Sequence, residues 1–231
     1  GKDPGYVAAD ADVAHAATTL VDGAFYNAGQ SCCGIERVYV HRSVHAEFME
    51  RALAAVRGHT LGDPMDTATT LGPLAEASAV DFLAAQVRDA RDKGAAVLCG
   101  GEPTHDAAGR GRFFAPTLLD NCTHDMHIMT EESFGPVLGC MAVDSDEEAV
   151  RLMNDSPYGL TAAVMTRDAA RARALGAQIE TGTVFMNKCD SLDPYLPWTG
   201  VKDTGKGVSL SRYGFDGCTR LKGYNLKVAT S

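Results

Sequence analysis

Among side chains, a cysteine thiolate is the most able nucleophile near neutral pH, and Cys32 stands in a setting that suits one. It follows the run Phe25-Tyr26-Asn27-Ala28-Gly29-Gln30-Ser31, in which a helix-like stretch gives way to a glycine turn, and Cys33 is its neighbour. By itself a cysteine reads as a small buried apolar side chain. The remaining cysteines, at 99, 122, 140, 189 and 218, have neither the paired spacing of a thiol zinc site nor an even total that would suggest a disulfide framework. A second group is Glu131-Glu132-Ser133-Phe134-Gly135-Pro136, in which, read alone, the two carboxylates are solvated acids and Phe134 is core. His124 and His127 stand three apart, but no Cys or carboxylate spacing completes a site, and no metal is expected. The run from Gly200 to Lys206 matches the first seven positions of a phosphate-binding P-loop. Gly207 takes the place of the hydroxyl residue such a loop needs, and Pro197-Trp198 precede it where a buried strand should be.

Taken together, these groups resemble the aldehyde dehydrogenase superfamily. The thiol two residues after Gly29-Gln30 is similar to that family's nucleophile, and Glu132-Ser133-Phe134-Gly135-Pro136 to its Glu-x-Phe-Gly-Pro motif, a hundred residues beyond Cys32. The runs 154–162 and 182–187 resemble further family blocks at matching spacing, so the likeness covers essentially the whole chain. Pro197-Trp198-Thr199-Gly200-Val201-Lys202 is similar to the family's Pro-Phe-Gly-Gly-x-Lys stretch, with Trp for Phe and Thr for the first Gly. The resemblance implies that Cys32 attacks an aldehyde, that Glu132 holds the nicotinamide ribose of NAD or NADP with Phe134 near the ring, and that Cys33 and Trp198 border the substrate tunnel. It also implies a parent that oxidises aldehydes to carboxylic acids through a thiohemiacetal and a thioester on Cys32.

Gly1-Lys2-Asp3-Pro4 resembles the tail of the family's Glu-Leu-Gly-Gly-Lys-x-Pro signature, whose glutamate, the general base, would lie three residues before Gly1. The resemblance therefore implies the catalytic, C-terminal half of such an enzyme, with the cofactor-binding N-terminal domain outside this chain. The chain alone is then expected to be inactive as a dehydrogenase. The family's habits imply a homodimer or homotetramer.

Something must position these residues. Apolar residues at three-and-four spacing predict helices over 10–28, 46–56 and 76–93, with an acidic residue available to cap the start of the first and Gly29 to stop it. Strands are expected over 37–41, 95–99, 113–119 (broken by Pro116), 137–143, 162–165 and 183–186. Ser145-Asp146-Glu147-Glu148 is a capping box opening a helix through Met153, and Asp168 caps another to about residue 179. This alternation with short connections predicts an α/β fold, three-layer αβα with a largely parallel sheet, and under the resemblance the aldehyde dehydrogenase catalytic domain. A catalytic domain over 1–217 is expected, followed by a tail, 218–231, with a lone strand near 221–228 that could serve subunit contact.

With 231 residues, 45% apolar and 22% charged, the chain can bury a sizeable core, and a formal charge of −9 without long basic runs argues against nucleic acid as partner. No apolar run approaches the ~20 residues of a membrane span, and the start lacks the pattern of a signal peptide, so no membrane is expected and a cytoplasmic location is. The residues alone leave two other readings open: a thiol hydrolase acting by acyl transfer through Cys32, and a non-catalytic assembly module.

Overall fold

The computed structural model describes residues 1–106, 108, 109 and 111–229; Ala107 and Arg110 of the loop between residues 100 and 111, and Thr230 and Ser231 of the tail, lie outside the described residues. In chain order the elements are β1 (Asp3–Val7), α1 (Val13–Phe25), β2 (Ile35–His41), α2 (Arg42–Arg57), α3 (Ala77–Asp92), β3 (Ala96–Cys99), β4 (Pro103–Thr104), β5 (Phe113–Phe114) and β6 (Thr117–Asp120). They continue with α4 (His127–Thr130), β7 (Val137–Val143), α5 (Asp146–Asn154), β8 (Tyr158–Gly159), β9 (Thr161–Met165), α6 (Ala169–Gly176), β10 (Thr183–Met186), β11 (Trp198–Thr199), β12 (Val201–Lys202) and β13 (Val208–Ser209).

Seven strands form the main sheet in the order β10-β9-β1-β2-β7-β6-β3. Every neighbouring pair is parallel except the last, where β3 runs antiparallel to β6 at the edge. Successive residues of each strand point to opposite faces, and two cores result. Val7, Val38, Val40, Ala163 and Met165 face α1 and α2, whereas Tyr6, Tyr39, Ala162 and Val164 face the side covered by α3, α5 and α6. The expected three-layer, largely parallel architecture is the one observed.

Several expectations need correction. Strand β1, an interior strand between β9 and β2, was not anticipated at all, because Asp, Pro and Gly are poor strand formers. Proline is admitted there because the register shifts between Asp3 and Pro4, so its missing N–H falls at a bulge. Gly5 is needed because a β-carbon would come within 2.8 Å of Leu20 on α1. Helix α1 is shorter than 10–28: Asp12 is its acidic cap, accepting the His15 N–H at 3.1 Å, and it ends at Phe25 instead of running to the glycine. Asp10 accepts from the Thr166 hydroxyl and pairs with Arg171 at 2.9 Å, tying the end of β9 to α6. Helix α6 stops at Gly176, three residues before the expected end. The Ser145 cap is as expected, with its hydroxyl accepting the Glu148 N–H at 3.1 Å. No strand forms over 221–228, since that segment has no partner strand in its own chain; Leu221, Tyr224, Leu226 and Val228 are exposed. Among the described residues no helix is long and apolar enough to cross a membrane, and no group of three His, Cys, Asp or Glu could hold a metal.

Candidate active site

Where α1 ends, the backbone turns left-handed for three residues in succession: Asn27 (φ 51°), Ala28 (φ 56°) and Gly29 (φ 71°). For a residue with a β-carbon this costs roughly 1–2 kcal/mol, so the turn must be held. Gln30 holds it. Its carboxamide nitrogen donates to the carbonyls of Asn27 at 3.2 Å and Pro73 at 3.3 Å, and its oxygen accepts the Ala75 N–H at 2.8 Å. The Asn27 carboxamide returns a bond to the Gln30 carbonyl at 2.8 Å. The cysteine loop is thereby fastened to the segment leading into α3.

Of the two adjacent cysteines, Cys32 is exposed and Cys33 is buried. The Tyr26 hydroxyl donates to the Ser31 hydroxyl, and both oxygens lie against the Cys33 sulfur, at 3.6 and 3.5 Å. Cys33 thus sits inside the loop as packing, while Cys32 is free to meet a ligand. Partial burial pushes the Cys32 thiol above its ordinary pKa, and the neighbouring Cys33 adds to the shift. Because only the thiolate is alkylated, the rate of iodoacetamide reaction at Cys32 in this chain is expected to rise about tenfold per pH unit and to keep rising past the ~8.5 of a free thiol. Peptide mass spectrometry of the labelled protein checks this, and a plateau below pH 8 would refute it.

Glu132 and Phe134 are brought to the same place from a hundred residues away. A β-carbon on Gly29 would overlap the Gly135 carbonyl, so the two loops touch backbone to backbone. Gly1 lies between them: a β-carbon there would strike the Cys32 carbonyl, and its nitrogen meets the Glu132 carboxylate. Phe134 has a positive φ of 50° and leaves much of its ring exposed. With Glu132, Gln30, Ala75, Ala79 and Phe82 it lines an open, largely apolar depression beside the cysteine loop. A carboxylate at the rim and two exposed aromatic rings suit a ligand that is flat and apolar at one end and carries hydroxyls at the other.

Trp198 lies on β11, which pairs antiparallel with β13, and lines a depression with Leu160, Thr204 and Lys206. The 154–162 and 182–187 blocks act as joints: Asn154 bridges the Gln178 carbonyl and the Glu180 N–H, and the Asn187 carboxamide makes two bonds to the Thr166 backbone at 2.8 and 3.0 Å.

Sequence reasoning missed three buried charged residues around the site. Asp3 accepts both the N–H (3.0 Å) and hydroxyl (2.6 Å) of Thr161, and its burial pushes its carboxyl up to about 7. Lys2 and Glu36 pair at 2.7 Å with almost no exposure of either side chain. The available signal was a charge at or just before the start of strands that are otherwise interior.

The arrangement has close counterparts among known proteins. A model of the aldehyde dehydrogenase family matches residues 1–223. An aldehyde dehydrogenase of Paenarthrobacter nicotinovorans is 40% identical over 222 residues, which make up 96% of this chain and 48% of that protein. An NAD-dependent aldehyde dehydrogenase from Sinorhizobium meliloti superposes with a TM-score of 0.93 at 34% identity, over 100% of this chain and 45% of the other. A 3,6-anhydro-L-galactose dehydrogenase in complex with NAP gives a TM-score of 0.89 at 37% identity, over 94% of this chain and 46% of the other. The chain spans about half the length of the curated relatives it matches.

Proposed function

The chain belongs to the aldehyde dehydrogenase family, and from that premise we propose that it is the catalytic half of an NAD(P)-dependent enzyme that oxidises an aldehyde to a carboxylic acid through Cys32. The observation that carries the proposal is the backbone contact of Gly29 with Gly135, because it sets an exposed thiol beside the Glu132–Phe134 depression. In this reading the Cys32 thiolate adds to the aldehyde carbon, and the carbonyl electron pair moves to oxygen. The backbone N–H of Cys32 donates to that oxyanion. When bound, the cofactor supplies the acceptor for the hydride that leaves the same carbon, and the acyl group remains on Cys32 as a thioester. Water then cleaves the thioester, regenerating the thiol and releasing the acid.

Glu132 would hold the ribose hydroxyls and Phe134 the nicotinamide face. Structural neighbours described as NAD-dependent or in complex with NAP support this cofactor class. The general base for hydrolysis would be the glutamate of the family signature whose tail Gly1-Lys2-Asp3-Pro4 resembles. The exposed apolar tail residues Leu221, Tyr224, Leu226 and Val228 support a subunit contact there. A thiol hydrolase with a Cys–His pair draws no support from the hydrogen bonds of the described histidines, which go elsewhere: His15 to Asn187, His41 to Ser43, His45 to Asp120, His59 to Thr70, His124 to Tyr39 and Asp155, and His127 to Glu131.

The proposal is tested by comparing the isolated 231-residue chain with the full-length protein. NAD(P)H formation from aldehydes is expected only from the latter, since loss of a general base alone typically costs about 10² to 10⁴ in rate. Equal turnover by the isolated chain would contradict it.

A further inference from the structure

The Lys2–Glu36 pair does more than join β1 to β2. Glu36 Oε2 accepts the Ser133 N–H at 2.7 Å, and Oε1 accepts the Phe134 N–H at 2.9 Å. Lys2 Nζ, 2.7 Å from the same carboxylate, also donates to the Ser133 hydroxyl at 2.9 Å. Two successive amides converging on one anion form a small backbone nest, and the left-handed Phe134 is the residue that gives the nest its curvature. Among the described residues Lys2 alone forms an ion pair with this carboxylate, and both are almost closed to water: Glu36 is 3% and Lys2 1% exposed. Arg37, the next residue along β2, points away to Lys2's carbonyl and to the end of α5.

We propose that Glu36 is a positioning residue of the cofactor subsite: its carboxylate, neutralised by Lys2, holds the Ser133–Phe134 turn so that Glu132 and Phe134 face the ligand in a fixed geometry. This rests on the reading that Glu132 and Phe134 meet the cofactor. Elements contribute as follows. Strand β2 carries both Cys32's loop at its start and Glu36 two residues into the strand, so the nucleophile and the cofactor loop are referenced to one rigid strand. Interior carboxylates with a single counter-charge are otherwise unfavourable, and a packed apolar pair would serve β1–β2 adhesion as well. Two loop amides needing an acceptor supply a reason for the charge.

The test uses the full-length protein and the variants Glu36→Gln, Glu132→Gln and Lys2→Met/Glu36→Gln. A carboxamide keeps the shape but offers one acceptor oxygen for two amides. In cofactor-free Glu36→Gln, hydrogen exchange at the Ser133 and Phe134 amides is expected to quicken at least about tenfold, and the calorimetric Kd for NAD or NADP to rise about tenfold. The iodoacetamide rate at Cys32 should stay within about twofold. The double variant removes the unpaired buried ammonium and is expected to regain thermal stability while keeping the weakened cofactor binding. If it regains binding as well, or if exchange at 133 and 134 is unchanged in Glu36→Gln, the carboxylate is a structural tie only and the proposal fails. An unchanged cofactor Kd in Glu132→Gln would instead overturn the cofactor reading of that loop.

Discussion

Cys32→Ala in the full-length protein is expected to lower kcat by on the order of 10⁴-fold or more, to the background of the assay. An enzyme that works by covalent transfer has no alternative once its nucleophile is gone, and the residual contribution of binding and oxyanion donors does not restore the missing bond. The adjacent thiol does not substitute. Cys33 is buried against Tyr26 and Ser31, with both hydroxyl oxygens within 3.6 Å of its sulfur, whereas Cys32 is exposed. Cys33→Ala is accordingly expected to change kcat by less than about tenfold. Steady-state assays of the two variants side by side separate the roles, and comparable losses in both would contradict the assignment.

Gly29→Ala is the substitution expected to harm the site most without touching a reactive group. Two costs add. The left-handed φ of 71° strains any residue with a β-carbon, and that β-carbon would overlap the Gly135 carbonyl, which is backbone and cannot swing aside. Together they are expected to destabilise the protein by about 2 to 5 kcal/mol, with ~1–2 from the backbone conformation and ~1–3 from overpacking. Gly94 provides the contrast, since its φ is 102° but nothing lies within 4 Å of an added β-carbon. Gly94→Ala should therefore show the conformational cost alone. Urea denaturation of both variants measures the difference, and equal midpoints would mean that the Gly29–Gly135 contact gives way. If the contact holds, Gly29→Ala should also part the cysteine loop from Glu132 and Phe134, so cofactor affinity falls in whatever fraction stays folded.

Periodicity made most of the fold legible. β7 and β10 have the expected bounds, and the helices over 46–56 and 76–93 were found because their apolar faces repeat at helical spacing. Strand β1 was invisible to the same reading, since Asp3-Pro4-Gly5 looks like a turn until the bulge and the close approach of Leu20 are known. The end of α1 was misread for a related reason. A glycine at 29 suggests a helix stop, but the helix yields four residues earlier, at Phe25, because Gln30 rewards a left-handed turn with bonds to Pro73 and Ala75 that are far away in sequence. At the site, Cys32, Glu132 and Phe134 could be named from local motifs, each contained in a few residues. Lys2 and Glu36 could not: they meet across 34 positions, and their joint hold on Ser133 and Phe134 exists only once β1, β2 and the loop before β7 are assembled.

The central claim is that Cys32 carries the covalent intermediate. The most direct measurement is rapid quenching of the full-length protein in acid during turnover of an aldehyde with NAD or NADP, followed by tandem mass spectrometry of the peptide that contains Cys32 and Cys33. The expected result is an acyl group on Cys32, formed only when both aldehyde and cofactor are present and absent from Cys33. An acyl group on any other residue, or sustained turnover with Cys32 unmodified at every quench time, would contradict the account.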